Sequence, residues 1–426
     1  MASITYRALW RWHFHAGLFC IPFVIVLALT GSIYLFKPQI DAFADRNVDS
    51  LQVTGRRASG EAHISAAIAS LPGSKLFAYE IPREPDDAVR VHVYSPDGTG
   101  RIVYVHPETL AILKTVAHTR RLTEIVRTIH SELLAGRTGS ILVELAASWA
   151  IIMLITGMYL WWPRESRGAA GVLYPRLREG RRVFWRDLHA VTGLWVSAFA
   201  MFLLITALPW TTVWGAGLKE VREFASPPIK QDWSLSRADE HAEHQRTANA
   251  AAVASPLTLD EIVARVAPLK LEPPVRVYLP NERMPYWRVR AETQNRPLVR
   301  ELELDANTGA VLSDKGFDGK PLLDRVIGVG IAAHEGQLFG IANQLLGLAT
   351  ALGLLAVCIS AVVMWWRRRP DGKLGVPAPR VDGFTIRLPL AVLIVCLAIF
   401  LPVLGASLLV LWATTSLHGR SALGSD

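Results

Sequence analysis

Cysteine is scarce in this sequence of 426 residues, which contains only Cys20, Cys358 and Cys396. All three lie in apolar runs, so no disulfide framework is expected, and no C-x-x-C-H motif for covalent haem attachment is present. The sequence also lacks a P-loop, an H-E-x-x-H zinc motif and a nucleophile elbow. Residues 328–333 match G-x-G-x-x-A, but they lead into an apolar run and follow no βαβ pattern. These absences exclude the enzyme classes that depend on those motifs.

Charged residues are also few, at 19% of the chain against 51% hydrophobic residues, and the mean hydropathy is +0.27. Five apolar runs reach the ~20 residues that a helix needs to cross a membrane. They lie near residues 14–36, 141–162, 191–214, 340–366 and 385–412. The first run is longer than the apolar core of a signal peptide and no A-x-A site follows it, so we expect it to be retained. The pattern predicts a polytopic α-helical membrane protein.

Basic residues are concentrated in the two short links between apolar runs. The first link contains Arg164, Arg167, Arg176, Arg178, Arg181 and Arg182, and the second contains Arg367, Arg368, Arg369, Lys373 and Arg380. Cytoplasmic loops are enriched in Lys and Arg, so both links and the N-terminus are predicted to be cytoplasmic. The polar segments 37–128 and 215–326 and the tail are then external. This topology explains the net charge of +8, and no nucleic-acid partner is expected.

A repeat introduces the second and fourth apolar runs. The second follows HSELLAG at residues 130–136, and the fourth follows HEGQLFG at residues 334–340. In both copies the histidine precedes the glycine by six residues and a Trp-Trp pair by 31 residues. The first and third runs open with H-x-x-x-G-L, at His13 and His189. The chain is therefore predicted to be a duplicated unit of span, external domain and span, which gives a four-helix core plus a fifth span.

The two external segments repeat as well. The first has a helix pattern near 61–70, strand patterns at 89–94 and 102–105, and HPETL at 106–110; the second has the corresponding features near 258–267, 286–290 and 302–304, and DANTG at 305–309. A helix followed by a small antiparallel sheet predicts an α+β domain in each segment. The second segment also contains a polar stretch near 237–255, which we interpret as a polar helical insertion or a linker.

These paired units, with H-x-x-x-G-L at the start of a span and D-x-x-T-G at the close of an external domain, resemble the PepSY-associated transmembrane family. Within that family the chain is similar to the iron-regulated, FoxB-type siderophore reductases. The resemblance covers nearly the whole chain, although HPETL at 106–110 departs from the closing motif. The implied divisions are 1–36, 37–128, 129–162, 163–184, 185–214, 215–326, 327–366, 367–384, 385–412 and 413–426, with the two PepSY-like domains in the periplasm of a bacterial inner membrane protein.

Topology assigns a depth to each repeated histidine. His13 and His189 lie where spans one and three begin on the cytoplasmic side, whereas His130 and His334 lie where spans two and four begin on the outer side. Two helices with imidazoles at equal depth can ligate the two faces of one haem. We therefore predict two haem b groups, one held by His13 and His189 and the other by His130 and His334. A structural origin of the repeated histidines, without retained ligation, is the alternative.

Residues near these histidines have several candidate roles. His15 lies about 200° around the helix from His13, so only one of them can face the bundle. Gly17 and Gly193 leave room for a flat ring one turn beyond His13 and His189. Arg11 and Arg186 could bind the propionates of the inner haem, and Arg120, Arg121, Arg127 or Arg137 those of the outer one, or they could be interfacial anchors. The Trp pairs at 161–162 and 365–366 are typical of an aromatic belt.

Three further features stay open or are assigned no function. Glu144, an acid well inside a span, could be a proton or cation site or could lie shallow enough to reach water. His241 and His244 have the spacing of one helical face, but solvated side chains are the simpler interpretation. The remaining histidines, at 63, 92, 106, 118 and 418, have no repeat partner and are expected to be non-functional.

The resemblance implies an oxidoreductase that moves electrons across the membrane to reduce ferric siderophores. The cytoplasmic links are too short for a flavin domain, so a separate reductase or membrane quinol must supply the electrons. The alternative is a non-catalytic PepSY protein that regulates a protease or acts as a sensor. A transporter built on repeats is a weaker third possibility because the two halves have the same topology.

Overall fold

The computed structural model describes residues 6–162, 168–225, 237–369 and 388–422. The chain divides into two compact units. The helical unit contains Met1–Ser32, Arg127–Ile229 and Leu345–Asp426, and the sheet unit contains Ile33–Val126 and Lys230–Gln344. Both units are thus built from segments of both sequence repeats.

The described helices are α1 Tyr6–Tyr34, α2 Lys37–Asp45, α3 Gly60–Ser70, α4 Leu122–Glu132, α5 Gly136–Trp161, α6 Arg181–Ala207, α7 Trp214–Ala225, α8 Arg237–Asn249, α9 Leu259–Val266, α10 Leu322–His334, α11 Ile341–Arg368, α12 Leu388–Phe400 and α13 Pro402–Ala422. The strands are β1 Lys75–Ile81, β2 Val89–Tyr94, β3 Gly100–Val105, β4 Ile112–Ala117, β5 Val275–Tyr278, β6 Tyr286–Ala291, β7 Glu301–Asp305 and β8 Val311–Lys315.

Four of the described helical stretches are long and apolar enough to cross a membrane. They are Leu9–Tyr34, Gly136–Trp161, Arg181–Trp210 and Ile341–Arg368, with hydropathy between 2.0 and 2.4. Each is at least as long as the ~20 residues that a hydrocarbon core requires. The first four predicted spans are therefore confirmed as helices, and the chain is a multi-pass membrane protein.

The fifth apolar run departs from its prediction as one span over 385–412. Within the described residues it forms two helices, α12 and α13, which are separated at Leu401. Pro402 follows this break, and the residue before a proline is disfavoured in the helical region of backbone space. The run therefore lacks one uninterrupted spanning helix, and its first residues, 385–387, lie outside the described part of the chain.

The predicted starts of spans two and four, at residues 129 and 327, are also wrong. A short helix, α4 or α10, carries each motif histidine in its last turn, and a tight turn separates it from the spanning helix. Gly136 and Gly340 close these turns at φ +55° and +58°, a region that side chains disfavour. The equal spacing from histidine to glycine thus reflects the same helix–turn–helix in both repeats.

The strands form one eight-stranded sheet, which corrects the prediction of two separate external domains. Its order is β4-β3-β2-β1-β5-β6-β7-β8, so each sequence repeat contributes four consecutive strands. The two halves are joined by antiparallel pairing of β1 with β5, in which Tyr79 lies opposite Val277. The predicted helix-plus-sheet composition of each repeat is confirmed, but the open edges meet and continue the sheet.

Helices α3 and α9 pack on one face of this sheet and cap each other. Ile64, Leu259 and Ile262 of these helices share one core with apolar side chains of the strands. The carboxylate of Asp260 accepts a hydrogen bond from the Gly60 amide at 3.0 Å, and that of Glu61 accepts one from the Leu259 amide. Each repeat therefore satisfies backbone donors at the helix N-terminus of the other repeat.

A row of charged side chains crosses the opposite sheet face at the join between repeats. In register, Arg90 lies opposite Glu80, Glu80 opposite Arg276, and Arg276 opposite Arg290. Glu80 accepts a hydrogen bond from His92 at 2.9 Å and lies 3.5 Å from Arg276. Burial disfavours the charged form of Glu80, but the His92 contact and the two arginines outweigh it and lower the pKa of Glu80 to about 2.

The closing turns of the two halves have the same geometry despite different sequences. Asp305 accepts hydrogen bonds from the amides of Asn307 and Thr308 in the second turn. In the first turn, His106 does the same through Nδ1, 3.2 Å from the amides of Glu108 and Thr109. A histidine therefore replaces the aspartate as acceptor at the point where the motif departs from the family pattern.

The polar insertion near 237–255 is helical, as predicted, and forms α8. The helix lies against β1, where the imidazole of His244 packs on the Phe77 ring at a centroid distance of 4.6 Å. Ala248 is buried with Phe77, Tyr94 and Tyr278. His244 therefore contributes to packing, whereas the side chain of His241 lies outside the described residues.

We expect the Glu80→Ala substitution to destabilise the sheet by about 2 kcal/mol, because it removes the carboxylate partner of two half-buried arginines. Because the pKa of Glu80 falls from 4.5 to about 2 on folding, this stabilisation is complete above pH 4.5 and is lost as the pH falls toward 2. Hydrogen exchange of β1 and β5, corrected for intrinsic rates, should accelerate in the variant at pH 6 and differ less from wild type at pH 3.

The matched control is Asp314→Ala, which removes the exposed ion pair of Asp314 with Arg300. Exposed pairs contribute about 0–1 kcal/mol, so this change should leave the exchange of β1 and β5 unaltered. Equal protection of β1 and β5 in wild type and Glu80→Ala at pH 6 would contradict the role assigned to the charged row.

Candidate functional site

His13 of α1 and His189 of α6 face each other within the helical unit. Their ring centroids are 6.5 Å apart, and the two ring planes are perpendicular, at 90°. His13 and His189 are separated by 176 residues in sequence, and they meet because the H-x-x-x-G-L motif places each one at the same depth in its span. The structure thus brings together the two histidines that the repeat predicted as the inner pair.

Both imidazoles use Nδ1 to bond oxygen atoms of a neighbouring span. Nδ1 of His13 lies 2.9 Å from the hydroxyl of Thr156 on α5. Nδ1 of His189 lies 3.0 Å from the carbonyl oxygen of Val357 on α11 and 3.3 Å from the hydroxyl of Ser360. These contacts orient the rings and leave Nε2 as the nitrogen available for a metal in each of them.

The ring separation fits two imidazoles on opposite sides of one metal ion. A metal–imidazole bond is about 2 Å long and a ring nitrogen lies ~1.1 Å from the ring centre, which gives centroids ~6.3 Å apart. Among the described residues, no group of three or more His, Cys, Asp or Glu side chains could hold a metal. Two opposed imidazoles therefore suit a metal whose remaining ligands come from a macrocycle, as in haem, better than a tetrahedral zinc site.

The space beside the motif glycine differs between His13 and His189. A Cβ atom at Gly193, one turn beyond His189, would meet no atom within 4 Å. A Cβ atom at Gly17 would lie 3.1 Å from the terminal methyl group of Met153, and one at Gly157 would lie 3.2 Å from Cε1 of His13. The open side predicted for both motif glycines is thus present at Gly193, while Gly17 lies against the end of a flexible methionine.

The two arginines predicted as propionate ligands are in different situations. Nε of Arg11 is buried without a hydrogen-bond partner among the described residues, which leaves it available for an anion. Arg186 instead bonds the buried carboxylate of Asp187 at 2.7 Å, and Arg176 bonds the same carboxylate at 2.8 Å. The structure therefore favours Arg11 over Arg186 as a propionate ligand. Asp187, which sequence analysis did not single out, holds the start of α6 to the preceding link.

The outer histidines occupy equivalent places in their own elements. His130 lies in the last turn of α4, and its Nδ1 is 2.9 Å from the hydroxyl of Thr30 on α1. His334 is the final residue of α10 and is half-buried. His130 belongs to the helical unit and His334 to the sheet unit, so their pairing on one haem stays a prediction.

His15 does not share the position of His13. Its side chain is exposed, and its Nδ1 donates to the carbonyl oxygen of Arg11 in its own helix at 2.8 Å. The two histidines therefore point to different sides of α1, as the 3.6-residue periodicity requires.

Glu144 has a structural contact that neither sequence interpretation anticipated. The carboxylate is buried and accepts hydrogen bonds from the amides of Val213 and Trp214, at 2.8 and 2.9 Å. These amides begin α7, where the helix dipole favours a negative charge. Glu144 therefore caps a helix that follows the third span, and sequence spacing carries no signal for this long-range contact.

We expect Glu144→Ala to loosen the start of α7 by about 1 kcal/mol, because two amides lose their acceptor. Hydrogen exchange at residues 211–217 should accelerate in this variant and accelerate less in Glu144→Gln, which keeps an acceptor oxygen for only one of the two amides. Unchanged exchange in Glu144→Ala would show that the cap does not stabilise α7.

Comparison with protein families matches the chain to the PepSY-associated TM region over residues 10–368. The matched stretch contains all four repeated histidines and ends at the last residue of α11, while α12 and α13 lie beyond it. Comparison with curated proteins finds no match. Since the match covers most of the sequence and both repeats, the chain belongs to the PepSY-associated transmembrane family.

Proposed function

We propose that the protein is a di-haem b-type oxidoreductase of the bacterial inner membrane, which moves electrons across the membrane to reduce ferric siderophores in the periplasm. The observation that carries the proposal is the pair His13 and His189, whose rings oppose each other at 6.5 Å between two membrane helices. A packed apolar bundle has no need of two facing imidazoles, and polar groups within spans are functional candidates by default.

The chain's own residues would supply ligation, orientation and charge at the inner position. Nε2 of His13 and Nε2 of His189 would hold the haem iron, while Thr156 and Val357 contact Nδ1 and orient the rings. The Arg11 guanidinium would bind a propionate, and the open space at Gly193 would accept part of the ring. A haem bound there would supply reversible one-electron chemistry at iron.

A second position toward the other end of α1 would complete the path. His130 contacts Thr30, which follows His13 by 17 residues on the same helix. That interval corresponds to a rise of roughly 25 Å along α1, close to the ~30 Å thickness of the hydrocarbon layer. His13 and His130 therefore lie near opposite ends of α1, which supports an electron path along the helical unit.

Ferric siderophores are proposed as acceptors because the family resemblance implies them and because the chemistry is favourable. Fe(III) binds hard oxygen ligands more tightly than Fe(II) does, so one-electron reduction weakens the complex and releases iron. The arginine-rich links support a cytoplasmic location for the Trp-Trp ends of the spans, and we propose that the sheet unit is periplasmic and provides the docking region. A cytoplasmic reductase or membrane quinol would supply the electrons.

The first test is the absorbance spectrum of the detergent-purified protein, air-oxidised and then dithionite-reduced, with haem quantified per chain. We expect two haem b groups and a sharp α-band on reduction. His13→Ala and His189→Ala should each remove the same single haem, whereas His15→Ala, which alters an exposed histidine on the same helix, should retain both. Ferric siderophore should then reoxidise the reduced protein.

A colourless protein from cells that supply haem would contradict electron transfer and favour the non-catalytic PepSY regulator. Retention of both haems in His13→Ala and His189→Ala would instead show that haem binds elsewhere. The first result tests the proposed function, and the second tests the residues assigned as haem ligands.

A further inference from the structure

The repeat extends beyond the histidines to one hydroxyl residue on each long span. Thr30 and Thr206 follow His13 and His189 by 17 residues, and Thr156 and Ser360 follow His130 and His334 by 26 residues. All four hydroxyls donate to a carbonyl of their own helix three or four residues earlier. The histidines and hydroxyl residues recur together at the same intervals in both repeats. This recurrence indicates that each hydroxyl acts together with a histidine.

The hydroxyls contact histidines within a repeat, whereas the histidine pair is formed between repeats. In the first repeat, Thr156 of α5 lies 2.9 Å from Nδ1 of His13, and Thr30 of α1 lies 2.9 Å from Nδ1 of His130. In the second repeat, Nδ1 of His189 lies closest to the Val357 carbonyl, and Ser360 is second at 3.3 Å. Each contact joins two helices through one imidazole: α1 with α5, α1 with α4, and α6 with α11.

These contacts are compatible with a proton on Nδ1. The Thr156 hydroxyl lies within hydrogen-bond distance of the Ile152 carbonyl, at 2.8 Å, and the Thr30 hydroxyl of the Val26 carbonyl, at 2.7 Å. When the hydroxyl donates to that carbonyl, its oxygen can accept from the imidazole, and Nδ1 is then the protonated nitrogen. The same tautomer follows for His189, because the Val357 carbonyl can only accept.

We propose that Thr156 and Thr30 are positioning residues for haem ligation, an inference that rests on the proposed function. Each threonine holds its histidine in the tautomer with a lone pair on Nε2. The following glycine leaves room for the ring, because a Cβ at Gly157 or Gly31 would lie 3.2 or 3.3 Å from Cε1 of the same imidazole. The dipeptide Thr-Gly thus contacts and accommodates one imidazole in both places.

The hydrogen bond would also affect the iron of a bound haem. Donation from Nδ1–H to an oxygen makes Nε2 a stronger electron donor, which stabilises the ferric state. Loss of such an outer contact typically weakens metal binding by about 10- to 100-fold. Removing the threonine hydroxyl should therefore weaken haem binding at that position and raise the reduction midpoint of that haem.

The test compares Thr156→Val, which nearly keeps the shape but removes the hydroxyl, with Thr156→Ser, which keeps the hydroxyl. Thr350→Val is the matched control, because the Thr350 hydroxyl is buried in a span and bonds the Leu346 carbonyl of its own helix. Apo-protein is titrated with haemin, and each loaded variant is titrated spectroelectrochemically. Thr30→Val repeats the test at His130 and provides the result if Thr156→Val does not fold.

We expect about 10- to 100-fold weaker haemin binding and a raised midpoint for one haem in Thr156→Val, with Thr156→Ser and Thr350→Val near wild type. Equal affinity and midpoint in wild type and Thr156→Val would overturn the inference. So would a midpoint in Thr156→Ser as altered as that in Thr156→Val, since this would indicate a packing effect. A wild-type protein that binds no haemin would instead reject the proposed function on which the inference rests.

Discussion

An imidazole placed between membrane spans must find its hydrogen-bond partner within the protein, because lipid offers none. This constraint organises the helical unit. His13, His130 and His189 each use Nδ1 to bond an oxygen on a different span, and three pairs of elements are thereby linked. When Nδ1 of His13 or His189 donates to these oxygens, the lone pair of the ring lies on Nε2. The interactions that stabilise these two histidines among the spans would thus also prepare them for the proposed ligation.

The two sequence repeats contact each other differently in the two units. In the helical unit, threonine–histidine contacts form within a repeat, whereas the contact of His13 with His189 forms between repeats. In the sheet unit, the repeats meet through β1 and β5, and the charged row around Glu80 and Arg276 lies at that seam. A single half would leave an open sheet edge and an unpaired imidazole. In this chain the other copy completes both features.

Much of this architecture could be predicted from the sequence, because the apolar runs and the motif spacings recur in both repeats. The positions of the four long helices, the helices α3 and α9, and the meeting of His13 with His189 all follow from local patterns and matched depth. The pairing of β1 with β5 could not be predicted, since a strand's alternation shows which face is buried but not which edge it meets.

Contacts between residues that are distant in sequence could not be predicted either. Glu144 looked like a proton or cation site because it is an acid in a span, but it caps α7 from 69 residues away in sequence. Arg186 matched its repeat position, but the adjacent Asp187 already binds it. The break at Leu401 has a local signal in Pro402, which hydropathy averaging over the fifth apolar run conceals.

The central claim is that His13 and His189 together hold one haem, and electron paramagnetic resonance tests it most directly. In oxidised His130→Ala protein, only the inner haem should remain. Perpendicular imidazole planes, as found at 90° for this pair, produce a highly anisotropic low-spin ferric signal rather than the rhombic signal of parallel planes. The account predicts that anisotropic signal, lost in His13→Ala. A high-spin ferric signal, or no haem signal, would contradict ligation by His13 and His189.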